Sequence, residues 1–400
     1  MNPLLLWTLI WASVAFILAF GDAKRRAGTL PEGTYLVTPP KFYGFLSALL
    51  VVGSVFVGSA FLRVLNITSL MPSLESALCA LVGMGLSWLI VRFEGHPRRV
   101  IEKASKGAFA LAAAAAVIIT GAIIFLLLRE SWAFFQLVPL DEFLTGTAWA
   151  PEISLSKDMA AAGQYGALPL FCGSLLITLI ALLVGGPLGL LVAIYTSQYA
   201  SVKARRWVKP AIEVLAGIPT IVYGFFALAI VGPSLNRLGE MLGLPIAGES
   251  ALGAGLTMGL MILPIVSSLS DDALRAVPRA LGENSLALGA TRSETIKKVL
   301  IPAALPGIIA AFLLAISRAV GETMLALMAV GLQANLTANP FTYVTTVTVQ
   351  IVTILTGDQE FESAKTLSAF ALALFLFTVT LFLNILALSV ARWHYRRYDA

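Results

Sequence analysis

The chain has 400 residues, 58% of them hydrophobic and only 12% charged, with a formal net charge of +5. A soluble domain carries about a quarter charged residues. With a mean hydropathy of +0.89 and apolar runs of about 20 residues, this composition describes an integral membrane protein and excludes a soluble one. Cys79 and Cys172 both lie in apolar runs and support no disulfide framework. His96 and His394 sit beside basic residues and offer no metal site. No G-x-x-x-x-G-K-[ST] sequence occurs, so the chain holds no P-loop and is expected to bind no nucleotide cofactor itself.

The first element, MNPLLLWTLIWASVAFILAF, lacks the positive leader of a signal peptide, and its basic cluster Lys24, Arg25, Arg26 follows the apolar run. It is expected to be a retained span with its N-terminus outside. Nine apolar segments follow this criterion of length: 3–20, 43–66, 73–92, 109–128, 168–195, 208–232, 252–270, 303–331 and 367–391. Alternate loops collect the cations. One side holds Lys24, Arg25, Arg26 and Lys41, then Arg92, Arg98, Arg99, Lys103 and Lys106, then Lys203, Arg205, Arg206 and Lys209, then Arg275, Arg279, Arg292, Lys297 and Lys298, and last Arg392, Arg396 and Arg397. The opposite side holds Arg63, Arg129, Lys157, Arg237 and Lys365 among many acids. The positive-inside rule then predicts nine spans with the N-terminus out and the C-terminus in.

Composition shifts suggest an N-terminal three-span extension (1–92), a cytoplasmic linker and first core span (93–128), an external segment (129–167) and a core (168–400). Gly185-x-x-x-Gly189 and Gly255-x-x-x-Gly259 are candidate sites of close helix contact.

Residues 268–307 on the inner side are too polar to span yet keep helical periodicity, with Leu274, Val277, Leu281 and Leu288 at helical spacings. Pro278 suits a helix start, Gly289 a helix end, and Thr291 with Glu294 forms a capping box opening a second short helix. The expected object is an amphipathic helical hairpin at the membrane surface; on this pattern alone it could lie on lipid or dock a partner.

The next span carries Arg318 and Glu322 within ISRAVGETM. A charge at mid-bilayer costs at least ~2.5 kcal/mol. Arg318 lies 16 residues beyond Pro302, roughly 24 Å along a helix. The spacing predicts that Arg318 and Glu322 share one helix face. Arg forks hydrogen bonds onto an oxyanion without losing its charge, and a carboxylate could accept the proton that phosphate carries and sulfate lacks. Gly321 would admit a neighbouring backbone, and Thr323 could add a hydroxyl. The other reading is an internal Arg–Glu pair with a purely structural role.

The spacing of Glu283, Ser285, Gly289, Val299, Ile301 and Pro302 resembles the E-A-A, G, I-x-L-P loop of ABC importer permeases, with Asn284 and Ser285 departing from its alanines. In that family the loop is a coupling helix that docks on a separate ATPase. The resemblance therefore implies that Glu283, Ser285, Ala287, Leu288, Gly289, Ala290 and Pro302 form the coupling site. SRAVGETMLALMAVG, FLTGTAWAPE (143–152), YGALPLFCGSLLITLIALLVGGPLGLLVAIYTSQYA (165–200) and GIPTIVYGFFAL (217–228) are similar to the PstC type of phosphate permease, and the N-terminal spans resemble the extension of its longer forms.

The implied fold is all-α and polytopic, with a six-helix ABC importer (type I) permease core in the bacterial inner membrane. The implied function is a non-catalytic permease subunit moving inorganic phosphate inward, with Arg318, Glu322, Gly321 and Thr323 on the substrate pathway. Implied partners are a PstA-like second permease, two PstB-like ATPase subunits carrying ATP and Mg, and a PstS-like periplasmic phosphate-binding protein, with no nucleic acid. A permease for sulfate, molybdate or phosphonate, the sister PstA-type subunit, and an ATPase-independent secondary transporter remain open at this point.

Overall fold

The computed structural model describes residues 3–28, 97–151, 164–357 and 363–398, with short pieces between 43 and 85. It divides into two units, Met1–Ala122 and Ile123–Ala400. In the first, helix α1 (Pro3–Gly28) carries the first expected span. Ala15 on this helix is buried with Val51, Val55 and Ala80, and the Ser54 hydroxyl donates to the Cys79 carbonyl at 2.7 Å. Most of the expected spans 43–66 and 73–92 lie outside the described residues.

Six helices among the described residues are long and apolar enough to cross a membrane: Ser105–Phe135, Leu168–Tyr199, Thr220–Leu242, Ala251–Ala276, Arg292–Val320 and Ala364–Val390. The first belongs to α2 (Pro97–Phe135), which runs past the expected end at 128. Beyond it, short helix α3 (Leu140–Thr145) leads to a small antiparallel pair, β1 (Trp149–Ala150) with β2 (Gln164–Tyr165), in which Trp149 faces Tyr165. Aromatic packing fixes this region: the Phe134 ring lies 5.6 Å from Phe143 and 5.4 Å from Tyr165, both edge-on.

Helix α4 (Leu168–Ile194) ends in a π-helical turn, Tyr195–Tyr199. It packs along α8 (Ala251–Ala276), and the two run in the same direction. The glycine motifs account for the closeness. A Cβ built on Gly185 would stand 2.3 Å from the Gly259 carbonyl oxygen, and one on Gly259 would stand 3.1 Å from the Ala181 oxygen. The two motifs face each other, as small residues do where membrane helices approach closely.

Between α4 and α8 the chain departs from the single expected span 208–232. Helix α5 (Val202–Ala216), capped by the Ser201 side chain, stops at Gly217. Pro219 has no N–H and disfavours helix in the residue before it. Helix α6 (Thr220–Phe226) starts afresh and passes through a π-helical turn, Ala227–Val231, into α7 (Gly232–Leu242). A hydropathy reading averages across such a break and misses it.

Candidate functional site

At one end of the core lies the hairpin expected over 268–307. It comprises α9 (Arg279–Ala287), α10 (Arg292–Thr295) and a π-helical turn (Ile296–Leu300) that leads into α11 (Ile301–Val320). The capping box is present: the Thr291 hydroxyl accepts from the Glu294 N–H at 3.3 Å, and the Glu294 carboxylate accepts from the Thr291 N–H at 2.9 Å. Gly289 turns the chain with φ +87°, a conformation open to glycine without strain. Glu283, Ser285 and Ala287 lie on α9, Leu288, Gly289 and Ala290 make the tip, and Pro302 sits in the first turn of α11.

The expected apolar stripe divides in two. Leu274 and Val277 are buried with Ala193, Ile296, Leu300 and Ile308 and anchor the hairpin to the spans. Leu281 and Leu286 are outward, and Leu288 is 90% exposed. The Ser285 and Thr295 hydroxyls meet at 3.0 Å and tie the two arms together; at Ser285 the sequence alone showed only a departure from alanine. Arg292 closes the base, donating to the Gln198 carbonyl and lying over the Tyr199 ring at 5.3 Å.

An unforeseen ion cluster stands beside the hairpin. Asp271 on α8 is 3% exposed and binds Arg205 at 2.9 Å, Arg275 at 3.3 Å and Lys209 at 3.8 Å. The Thr196 hydroxyl adds a bond at 3.2 Å. This staples α5 to α8 and to the end of α4, which a buried carboxylate can do only when fully paired. The visible clue was an Asp271–Asp272 pair and a basic run at 203–209, which sequence reading placed in separate loops.

The stretch around Arg318 corrects an expectation. The span does not run unbroken to 331. Helix α11 ends at Val320, and α12 (Met324–Ala329) begins after Gly321–Thr323. Arg318 and Glu322 therefore do not share a helix face, and no ion pair joins them among the described residues. Glycine is a weak helix former, and the Glu322 carbonyl freed by the break accepts the Thr348 hydroxyl at 2.9 Å. The Glu322 carboxylate reaches the Leu325 N–H at 3.5 Å, so it serves the start of α12. Among the described residues a Cβ on Gly321 would meet only the Ser317 and Arg318 carbonyls of its own helix, at 3.5 and 3.9 Å, and no neighbouring backbone. Thr323 turns its hydroxyl to the Gly321 carbonyl at 3.5 Å.

Thr348 belongs to α13 (Val347–Thr356), whose Gln350 accepts from the Trp149 indole at 3.1 Å and donates to the Leu332 carbonyl at 3.0 Å. The final helix, α14 (Ala364–Tyr398), packs on α11 and α13.

Arg318 itself lines a pocket of about 240 Å³ with Leu215, Thr220, Tyr223, Met261 and Ile265 among its walls. It is exposed, has no hydrogen-bond or ion-pair partner among the described residues, and is the pocket's one charged lining residue. Met261 and Ile265 stand near the middle of α8, so the pocket lies at mid-depth in the bundle. The wall facing Arg318 is the break between α5 and α6. Because Pro219 cannot donate, the Leu215 carbonyl lacks its helical partner; it takes the Tyr223 hydroxyl at 2.9 Å and the Ile218 N–H at 3.3 Å instead. The arrangement sets a guanidinium without a partner among the described residues in a concave surface that also carries two hydroxyls, a setting suited to a small anion.

Comparison with known proteins decides the family. A model of binding-protein-dependent transport system inner membrane components matches residues 185–399, more than half of the chain. The chain belongs to that family. It is 36% identical over 239 residues to the probable ABC transporter permease protein YqgH of Bacillus subtilis, covering 60% of this chain and 74% of that protein. It is 29% identical over 304 residues to the phosphate transport system permease protein PstC of Mesorhizobium japonicum, covering 72% and 88%. With the protein of the same name from Haemophilus influenzae it shares 30% over 305 residues, covering 72% and 92%. The chain is thus a permease subunit of an ABC importer, a non-catalytic, multi-pass component of the inner membrane.

Proposed function

We propose that this permease carries inorganic phosphate into the cytoplasm, energised by ATP and Mg bound on separate PstB-like ATPase subunits. The observation that supports phosphate is Arg318, an arginine without a partner among the described residues, at mid-depth in the bundle and facing a pocket whose described lining has no carboxylate. Similarity to permeases named for phosphate transport supports the same reading. A single positive charge in the pocket gives an oxyanion a weak, transient contact, as passage requires, where several arginines would trap it.

The hairpin is the coupling site in this reading. Its anchored base and exposed tip, Leu288 above all, are suited to seating in a cleft of an ATPase, with Glu283 and Ser285 on the same arm. A PstA-like permease completes the pathway, and a PstS-like binding protein delivers phosphate to the opposite end, near β1, β2 and the 332–346 segment. In this reading the chain has nine spans with its N-terminus out, residues 1–92 forming an N-terminal three-span extension.

The test is ATP-dependent uptake of radiolabelled phosphate in proteoliposomes holding the complete complex and its binding protein. Uptake that requires ATP, and that arsenate but not sulfate inhibits, is the expected result. Equal inhibition by sulfate overturns the phosphate assignment, and uptake without the ATPase overturns the importer mechanism.

A further inference from the structure

Resting on the phosphate reading of the Arg318 pocket, we infer that Tyr223 is its specificity-determining residue, selecting a protonated oxyanion over one with no proton. The charge of Arg318 cannot make this choice, since a guanidinium donates equally well to phosphate and sulfate. Selection needs a group that can only accept. Glu322, which the sequence offered for this role, stands in the helix break, is engaged toward Leu325, and is not among the residues lining the pocket.

Tyr223 meets the requirement through its bond to the backbone. A carbonyl can only accept, so in the 2.9 Å contact with Leu215 the tyrosine must be the donor. That hydroxyl has one proton, and the Pro219 break commits it to Leu215. What the phenolic oxygen retains is acceptor capacity alone. Tyr223 and Leu215 both line the pocket that holds Arg318, so this spent donor stands in the pocket wall. Phosphate near neutral pH still bears a proton to give to it; sulfate bears none and would set an anionic oxygen against a lone pair. A bad contact for the wrong ion is how such discrimination is built.

The experiment uses the full complex in nanodiscs without the binding protein, so that the permease alone chooses. Thr220, on the same wall, is changed to cysteine after Cys79 and Cys172 are replaced by serine, and labelling by an anionic thiol reagent is timed. Phosphate is expected to slow labelling, with sulfate at equal ionic strength roughly tenfold less effective, the size of one net hydrogen bond. Adding Tyr223→Phe, which keeps the ring and removes the oxygen, is expected to bring the two anions to parity while Arg318 still gives protection. A preference that survives Tyr223→Phe overturns the inference. Absence of protection by either anion in the Thr220→Cys protein alone overturns the pocket reading instead, so the two failures are distinct.

Discussion

A single carboxylate holds one end of the core together. Asp271 is buried, and its three cationic partners retain part of their contact with water, with Arg275 44% and Lys209 36% exposed against 4% for the acid. Replacing Asp271 with Asn leaves Arg205 facing a neutral amide and loosens α5 from α8. The expected loss is about 2 kcal/mol, below the roughly 3–5 kcal/mol of wholly buried pairs because the cations can turn to solvent. Thermal unfolding of the purified complex in detergent measures it; an unchanged midpoint would mean that α5 is held by other contacts. Arg318 is the opposite case, a cation with no such partner among the described residues, and that difference separates a structural charge from a candidate functional one.

At the scale of elements, features set by local sequence were legible and those set by distant partners were not. Thr291 with Glu294, and Gly289 at the tip, write the hairpin into a few consecutive residues, and the structure has both. The glycine pairs on α4 and α8 were readable as contacts because only glycine lets backbones meet at Gly185 and Gly259. The interruption at Gly321 was not readable. The Glu322 carbonyl that it frees is satisfied by Thr348, 26 residues away, and hydropathy continues across the gap. Asp271 and Arg205 are 66 residues apart, and nothing in either segment names the other.

The hairpin also carries its own prediction. Leu288 contributes nothing to the core at 90% exposure, so Leu288→Asp is expected to leave folding intact and reduce transport. A charge set into an apolar docking contact costs about 2–4 kcal/mol, or roughly 30- to 1,000-fold in affinity for the ATPase. Co-purification of the ATPase with the variant reads this directly, and undiminished recovery would place the coupling surface elsewhere.

For the whole molecule, the hairpin and the Arg318 pocket sit on the same rigid members. Helix α11 rises from the hairpin and bears Arg318 near its far end, while α8 enters the hairpin and supplies Met261 and Ile265 to the pocket wall. A tilt of the hairpin by a partner would therefore move Arg318 and the α8 wall together against the α5–α6 break, which is how a rigid-body switch links an energy source to a distant gate. The most direct test is Arg318→Gln in the reconstituted complex, following phosphate uptake and ATP hydrolysis together. Loss of a charge-assisted contact predicts uptake down by roughly 10- to 100-fold with assembly and hydrolysis retained. Uptake at the wild-type rate would show that Arg318 lies off the phosphate path.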